Sequence, residues 1–282
     1  GVMKANISDL FEGMTVLGCH QFRVTRNSDL WIDEDEADDL LSAVAGELSN
    51  RRYGDAVRLE VGNDSTPELN DFLLQHFKLT QLDLYKANGP VNINRLEQLR
   101  DLLDAPKLRY PPFVPATPVG LTEQSIFEAI TAEDILLHHP YQSFSPVLEF
   151  LRQSARDPNV LAIKMTLYRT QPDSELVVTL LEAARSGKEV TVVIELRARF
   201  DEATNIDLAT KLQDAGVKVS YGVVGYKTHA KILLVVRREN QQLKRYGHLG
   251  TGNYHPGTAR AYTDIGLITD DPFLCEDIHK VF

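Results

Sequence analysis

The sequence predicts an α/β protein, with an N-terminal α+β head module followed by an α/β domain that has a mixed, mostly parallel sheet. In the second part of the chain, strand-like runs alternate with helix-like stretches of about 10–15 residues, an order typical of a sheet covered by helices. Between the two parts, "KLRYPPFVPATPVG" places four prolines in fourteen residues, which neither a helix nor a sheet accommodates well. We therefore expect a head domain at 1–106, a proline-rich hinge at 107–120 and a larger domain at 121–282.

The first part orders its elements as strand, helix, strand, helix. A strand is predicted within 15–27, a helix within 35–52 and a second strand within 55–62. The second helix should begin at Pro67, because Ser65 or Thr66 can cap it and proline is favoured at a first helical position. Six carboxylates in "WIDEDEADDLL" are interpreted as an acidic first turn that favours the helix dipole.

The second part repeats strand and helix more regularly. Helices are predicted to end at Gly187 and Gly216, because glycine is the usual residue just past a helix. The strand-like runs of this part are "VLAIKMTLYRT", "EVTVVIELRA", "VKVSYG", "HAKILLVVRR", "KRYGHLG" and "YTDIGLIT". Ligands on such sheets bind at the carboxyl ends of the strands, so we expect the site there.

Bulk composition limits the classes of partner. The chain of 282 residues carries a net charge of −10, which argues against nucleic acid as its main partner but leaves room for a local anion pocket. Two cysteines, Cys19 and Cys275, make no disulfide framework, so a cytoplasmic, reducing compartment is expected. Neither "GVMKANISDLFEGM" nor "CEDIHKVF" is typical of a natural terminus, so we expect the chain to be part of a longer protein.

Cations follow the predicted strands of the second part, and strand ends of an open sheet meet at one edge. Several cations at one edge of an acidic protein favour a phosphate or polyphosphate site, although each could instead form a separate surface salt bridge. These residues are Lys164, Arg169, Arg197, Arg199, Lys227, His229 and Lys231.

The turn "GTGN" could add backbone donors to this site. Gly250 and Gly252 can adopt positive φ angles, which would let the N–H groups up to Asn253 point at one anion. An ordinary tight turn has the same composition, so the pattern alone is a weak signal.

His229 has two interpretations. It could be a buried histidine satisfied by hydrogen bonds, or a nucleophile that attacks phosphorus and forms a phosphohistidine. Lys231 should lie on the same strand face and neutralise phosphoryl oxygens, while Arg169 and Arg199 clamp others. The chain has neither a Walker A motif nor the "HRD" and "DFG" motifs of protein kinases.

Four other histidines carry weaker hypotheses. His138 and His139 are adjacent, so in a strand they would face opposite ways, and we expect no metal site from them. His248 and His255 are candidate neighbours of a bound phosphate.

Several strings in the second part resemble polyphosphate kinase of the first kind, a family of the wider phospholipase D superfamily. They are "HHPYQSF", "KMTLYRT", "ELRARFDEATNID", "YKTHAKILLVVRRE" and "GHLGTGNYHPGTARAYTDIGL", and they cover roughly 125–282. The head module resembles the same family with less specificity, through "VLGCHQFRVTRNSDL" and "RYPPFVP". The resemblance implies a phospholipase D-like α/β domain.

The resemblance also implies an activity: reversible transfer of the terminal phosphate of ATP to inorganic polyphosphate, leaving ADP. The phosphorylated histidine falls on His229, the two phosphate- and Mg²⁺-associated arginines on Arg169 and Arg199, and a nucleotide-binding tyrosine on Tyr262. Asp264 is our own candidate for orienting a histidine. Mg²⁺ would bridge phosphate oxygens. The family implies a homo-oligomer, a dimer or tetramer, that can associate peripherally with the inner membrane.

The chain departs from these patterns in two ways. Val236 stands where phospholipase D enzymes have an aspartate five residues after the lysine, which argues against hydrolysis of phosphodiesters. The resemblance also implies an N-terminal helical domain and a second C-terminal domain, and we expect both to lie outside this chain. We therefore expect half an active site and weak or no turnover by this chain alone. A phosphodiesterase and a non-catalytic polyphosphate-binding or nucleotide-binding module remain the alternatives.

Overall fold

The computed structural model describes residues 2–27, 40–50, 54–118, 125–196, 198, 201–222 and 228–282. The chain divides into two compact units, one of 1–31 with 49–111 and the other of 32–48 with 112–282. Within the described residues, no helix is long and apolar enough to cross a membrane. Cys19 and Cys275 are both free thiols.

The elements of the first part of the chain are short. In order they are α1 (Val2–Ala5), α2 (Ile7–Leu10), β1 (Phe22–Arg26), α3 (Leu40–Asn50), β2 (Ala56–Gly62), α4 (Pro67–Phe77), β3 (Leu84–Ala87) and α5 (Gln98–Leu102). Short 3-10 helices lie at Gln81–Asp83, Ile93–Glu97 and Pro106–Leu108. By the division into units, most of α3 belongs to the larger unit.

The smaller unit is built on a three-stranded sheet. β2 lies between β1, which is antiparallel to it, and β3, which is parallel. Leu59 and Val61 of β2 form a core with Leu73 and Leu74 of α4. The Thr66 hydroxyl accepts the N–H of Leu69 at 3.3 Å, which confirms the cap predicted at the start of this helix.

β1 is shorter than the strand predicted over 15–27. Its first residue, Phe22, pairs with Val61, and β2 ends one residue later at Gly62. The Gly62 N–H still donates to the Gln21 carbonyl oxygen at 3.2 Å, but residues 15–20 lie beyond the end of the partner strand and form no ladder of their own.

The larger unit alternates helices and strands. It contains α6 (Ile126–Ala132), β4 (Ile135–His139), α7 (Ser145–Arg156), β5 (Val160–Leu167), α8 (Glu175–Arg185), β6 (Glu189–Ile194), α9 (Glu202–Asp214), β7 (Lys218–Ser220), β8 (Lys231–Glu239), β9 (Gln242–Gly250), α10 (Pro256–Ala259), β10 (Asp264–Thr269) and α11 (Pro272–Val281). Gly187 and Gly216 follow α8 and α9 with φ of +84°, so both predicted helix stops are confirmed.

The strands of this unit form a seven-stranded sheet in the order β4-β10-β9-β8-β5-β6-β7. The prediction of a mixed α/β domain is confirmed, but "mostly parallel" is wrong. Only β5–β6 and β6–β7 are parallel pairs, and the other four described pairs are antiparallel. A parallel pair needs a long crossover, and α8 and α9 supply one each. β8 and β9 instead join through the two-residue turn Asn240-Gln241, with φ of 47° and 66°.

The pairing brings several strand ends to one edge of the sheet. Met165, near the end of β5, pairs with Leu233, so β8 begins beside the point where β5 ends. Lys231 at the start of β8 pairs with Gly250 at the end of β9, and Gly250 pairs in turn with Gly266 of β10. The candidate residues around His229 and the glycine turn therefore lie at this edge.

Candidate functional site

His229 lies just before β8 and is exposed. Its ring meets the Tyr168 ring edge-on, with 5.0 Å between centroids and 85° between planes. An exposed imidazole at the edge where strands end can reach a ligand in solution, which a buried structural histidine cannot. The interpretation as a buried core histidine is therefore wrong.

Lys231 is the buried cation of the site, with only 4% of its surface exposed. Its Nζ donates to the His229 carbonyl oxygen at 2.5 Å and lies 5.2 Å from the centroid of the Tyr168 ring. Burial lowers the pKa of Lys231, and the attraction of Asp264 opposes that shift only partly. Since Lys231 and His229 both contact Tyr168, the structure brings the two side chains together.

Tyr168 was not singled out from the sequence, although it follows β5 directly and precedes Arg169. The guanidinium carbon of Arg169 lies 5.5 Å from its ring centroid, so three candidate side chains surround one phenol. An aromatic ring favours cations near its face, which helps to hold Lys231 and Arg169 at the site. The only sequence signal was an aromatic residue placed among cations at a strand end.

The predicted cations are only partly brought together. Arg169 is exposed and its Nε forms an ion pair with Asp201 Oδ2 at 3.1 Å. Lys164 does not join the edge, because it sits in the middle of β5, paired with Thr191 and Leu234. Arg197, Arg199 and Lys227 lie outside the described residues.

The glycines of "GTGN" serve a purpose different from the predicted one. Neither Gly250 nor Gly252 has a positive φ, so the expected anion nest is not formed by left-handed glycines. A Cβ on Gly252 would lie 2.5 Å from Asp264 Oδ2, and a Cβ on Gly250 would lie 3.0 Å from His248 Cε1. The two glycines allow the side chains of Asp264 and His248 to pack directly against the turn.

Asp264 begins β10 and accepts the Thr251 hydroxyl at 2.7 Å. It is close enough to Lys231 to favour the charged ammonium. Asp264 is therefore placed to balance the buried lysine, and its predicted role of orienting a histidine stays a prediction.

The other residues predicted here fall between β9 and β10. Tyr262 is 65% exposed, and its predicted contact with a nucleotide stays a prediction. Asn253 is half-buried and lines a small cavity beneath the turn. His255 caps α10 by accepting the Thr258 N–H at 3.1 Å, which explains its presence without any phosphate.

His248 lies inside the same cavity and is fully buried. Its Nδ1 is 2.8 Å from the Tyr254 hydroxyl, and its Nε2 has no hydrogen-bond partner among the described residues. Burial, with a smaller effect of His139, lowers its pKa to about 3, so the ring is neutral at physiological pH. The cavity has a volume of about 10 Å³, which is at the lower limit of the space that one water molecule needs. A neutral histidine below the turn is not a direct contact for phosphate.

The described residues do not fit a Mg²⁺ ion held by protein ligands. Among them no group of three or more His, Cys, Asp or Glu side chains could hold a metal. Arg169 offers a guanidinium, which has no lone pair for a metal. His138 and His139 face opposite sides of β4, as their adjacency predicted. His138 is exposed, whereas His139 is buried with its Nδ1 2.9 Å from the Gln142 carbonyl oxygen.

Comparison with known proteins gives two family matches along the chain. Residues 1–99 match the polyphosphate kinase middle domain, and residues 125–282 match polyphosphate kinase C-terminal domain 1. Polyphosphate kinases from Pseudomonas aeruginosa and Neisseria meningitidis are 56% and 54% identical to the chain over all 282 residues. The chain spans 41% of the length of each.

Solved structures give a consistent result for the fold. The crystal structure of polyphosphate kinase from Porphyromonas gingivalis matches the whole chain with a TM-score of 0.78 and 25% identity, and the match covers 40% of that protein. A phospholipase D family member, Nuc from Salmonella typhimurium, matches 53% of the chain with a TM-score of only 0.40, a likeness that carries no argument about activity. On the two family matches, the chain belongs to the polyphosphate kinase family.

Proposed function

We propose that this chain carries the phosphohistidine site of an enzyme that transfers the terminal phosphate of ATP reversibly to inorganic polyphosphate. The observation that carries the proposal is the pair of His229 and Lys231, an exposed imidazole beside a buried cation at the edge where strands end. Membership of the polyphosphate kinase family supplies the class of substrate.

The reaction has two steps on one imidazole. A ring nitrogen of His229 attacks the γ-phosphorus of ATP, the bond from that phosphorus to the bridging oxygen breaks, and ADP leaves with the bonding electrons. The imidazole N–H proton is released to water. A terminal oxygen of polyphosphate then attacks the same phosphorus, and the P–N bond breaks with its electrons returning to the imidazole nitrogen. The ring regains a proton from water, and the polyphosphate chain is one phosphate longer.

The protein contributes mainly charge and position in such a transfer. Lys231 lies beneath the His229 backbone and offers a cation to the phosphoryl oxygens. Arg169 is exposed nearby and can exchange its partner Asp201 for phosphate. A phosphate-binding role for Arg199 is proposed from the resemblance alone. Tyr262 is proposed to contact the nucleotide, because its ring is exposed at the same edge.

Mg²⁺ is proposed to enter bound to the phosphates of ATP. The described residues provide no carboxylate cage, and Mg²⁺ is commonly held by substrate phosphates with few protein ligands. Since those residues do not hold the ion, no step of the transfer is assigned to it.

The domain boundaries of 1–106, 107–120 and 121–282 are part of the proposal. The change of family match between 99 and 125 supports them. The chain spans about two-fifths of its relatives, so the second half of the site is proposed to lie elsewhere in the longer protein, and the isolated chain is expected to be weak or inactive. Oligomerisation, cytoplasmic location and peripheral membrane association belong to the proposal for that longer protein.

The position of Val236 supports phosphotransfer over phosphodiester hydrolysis. Val236 lies on β8 and packs against an apolar cluster that includes Ile232, Cys275 and Ile278. Val236 is partly buried, so an aspartate there would lie partly against hydrocarbon, far along the strand from His229. A diesterase assay on bis-p-nitrophenyl phosphate should therefore give no His229-dependent activity.

The test is polyphosphate synthesis from ATP, and ATP formation from polyphosphate and ADP, in the full-length protein. We expect both directions to be lost in His229→Ala and kept in Asp157→Asn, which alters a carboxylate that precedes β5 at the far end of the sheet. Activity retained by His229→Ala would move the phosphoryl carrier elsewhere. Polyphosphate binding without turnover in the wild type would favour a non-catalytic binding module.

A further inference from the structure

The two residues that flank His229 are each held through their backbone by a buried side chain of a neighbouring strand region. The N–H of Thr228 donates to Glu195 Oε2 at 2.7 Å. On the other side, the hydroxyl of Thr166 donates to the Ala230 carbonyl oxygen at 2.7 Å. His229 itself is exposed, so these contacts lie behind it and face the interior.

Thr166 ties the start of β8 to β5. It is buried, and besides donating to Ala230 its hydroxyl accepts the Ile232 N–H at 3.1 Å. The β5–β8 ladder ends at the pair of Met165 with Leu233, so the Thr166 hydroxyl takes over where backbone pairing stops. Valine has the same shape but can make neither bond.

Glu195 follows β6 and is itself held firmly. Its N–H donates to the Leu167 carbonyl oxygen at 3.1 Å, and its own carbonyl oxygen accepts Asn205 Nδ2 at 2.8 Å. The same amide donates to the Tyr168 carbonyl oxygen at 3.0 Å, so Asn205 joins the ends of β5 and β6. Glu195 therefore offers its carboxylate from a fixed backbone.

A carboxylate that is only 3% exposed is costly to bury, so its hydrogen bonds matter. A bond from a backbone N–H to a charged carboxylate is about twice as strong as one between neutral groups. The carboxylate also lies near the other end of the segment that leads to His229. A Cβ on Gly222, which has φ of +65°, would lie 3.9 Å from Glu195 Oε2 and 3.4 Å from Thr228 Oγ1.

We propose that Glu195 and Thr166 are positioning residues that fix the backbone on both sides of His229, so that its imidazole is presented in one orientation for in-line attack on phosphorus. This inference rests on the proposed function of His229 as the phosphoryl carrier. An exposed side chain on a connecting segment would otherwise sample many orientations. Fixing the backbone restricts the imidazole to fewer of them, and this restriction raises the rate at which a nucleophile reacts. Glu195 and Thr166 act through His229 and touch no substrate themselves.

The test compares the full-length wild type with Glu195→Ala, Glu195→Gln, Thr166→Val and Thr166→Ser. The single-turnover rate of His229 labelling from γ-labelled ATP is measured over a range of ATP concentrations. We expect Glu195→Ala and Thr166→Val to slow the maximal rate about tenfold or more, with the half-saturating ATP concentration within about twofold of wild type. Glu195→Gln and Thr166→Ser should recover most of the rate, because each keeps an oxygen in place.

Asp157→Asn is the matched control. Asp157 also accepts a backbone N–H, that of Asn159 at 2.7 Å, and pairs with Arg237 at 2.8 Å, but it precedes β5 at the opposite end of the sheet. We expect it to lower the melting temperature without changing the labelling rate. Hydrogen exchange should be faster at Thr228 in Glu195→Ala and unchanged there in Asp157→Asn.

Wild-type labelling rates in both Glu195→Ala and Thr166→Val would overturn the proposal, as would an equal rate loss in the Asp157→Asn control. If Glu195→Ala or Thr166→Val does not fold, Glu195→Gln and Thr166→Ser decide the question. A labelling rate that falls in step with the stability of these two variants, although each retains the oxygen, counts against positioning. Absence of label in the wild type, or label retained in His229→Ala, would instead refute the proposed function. Hydrogen exchange at Thr228 reports the Glu195 contact in either case.

Discussion

The close approach of Gly252 and Asp264 makes a prediction that can be worked from distances. An alanine Cβ at position 252 would lie 2.5 Å from Asp264 Oδ2, 2.7 Å from its Cγ and 3.0 Å from its Cβ. The Cβ of Asp264 is fixed by the backbone of β10, so rotation of the side chain cannot relieve every contact. Either the turn or the strand end must move, and overpacking of this kind costs about 1–3 kcal/mol.

The variant Gly252→Ala should therefore lower the free energy of unfolding by that amount in urea denaturation. It should also slow phosphohistidine formation in the full-length protein, because displacing Asp264 breaks its bond with Thr251 and removes the charge that balances Lys231. Gly46→Ala is the control, since Gly46 is exposed in α3 with nothing within 4 Å of its added Cβ. That change should stabilise the protein by about 0.5–1 kcal/mol. Unchanged stability and unchanged labelling in Gly252→Ala would refute the reasoning.

Three further predictions follow from burial and charge. Burial raises the pKa of the Cys275 thiol to about 11, so a thiol reagent at pH 8 should modify the half-buried Cys19 first and Cys275 only on unfolding; equal rates in the folded protein would contradict this. The pKa of His248 is about 3 when folded and about 6.5 when unfolded, so the unfolded state binds the extra proton and stability should fall as the pH drops below about 6.5. In urea denaturation between pH 7 and 4.5, the stability of His248→Gln should fall less steeply with decreasing pH than that of the wild type. Equal slopes for the two proteins would count against this prediction. Lys231→Met should remain folded by circular dichroism but reduce the labelling rate about 100-fold or more, because it removes a cation from beside the phosphoryl group. A labelling rate near that of the wild type would assign that charge to other residues.

The fold could be predicted where local chemistry decides it. Thr66 with Pro67 determines where α4 begins, and Gly187 and Gly216 mark where α8 and α9 end. The strands of the antiparallel half of the large sheet could be predicted but their directions could not, because the hairpin turn between β8 and β9 is Asn240-Gln241. Both residues have positive φ without a glycine, so the usual turn signal is weak.

The candidate site divides in the same way. His229, Lys231 and the strand-end position of Arg169 could be chosen from residue type and spacing. The surroundings of His229 depend on pairing between distant strands, which no local pattern reports. Tyr168, Thr166 and Glu195 approach it only because β5, β6 and β8 are neighbours.

The purpose of the glycine turn was misread for a related reason. A sequence shows that a glycine is present but not whether it is needed for a positive φ or for close approach. Here the side chains of Asp264 and His248 occupy the space that a Cβ on either glycine would need, and both residues belong to strands next to the turn.

The most direct test of the central claim is to locate the phosphoryl group itself. The full-length protein is incubated with γ-labelled ATP and Mg²⁺, trapped in alkali, digested and mapped by mass spectrometry, beside His229→Ala. The account predicts acid-labile, alkali-stable phosphate on the peptide that contains His229, absent from the variant. Phosphate found on another residue, or present equally in the variant, would contradict it.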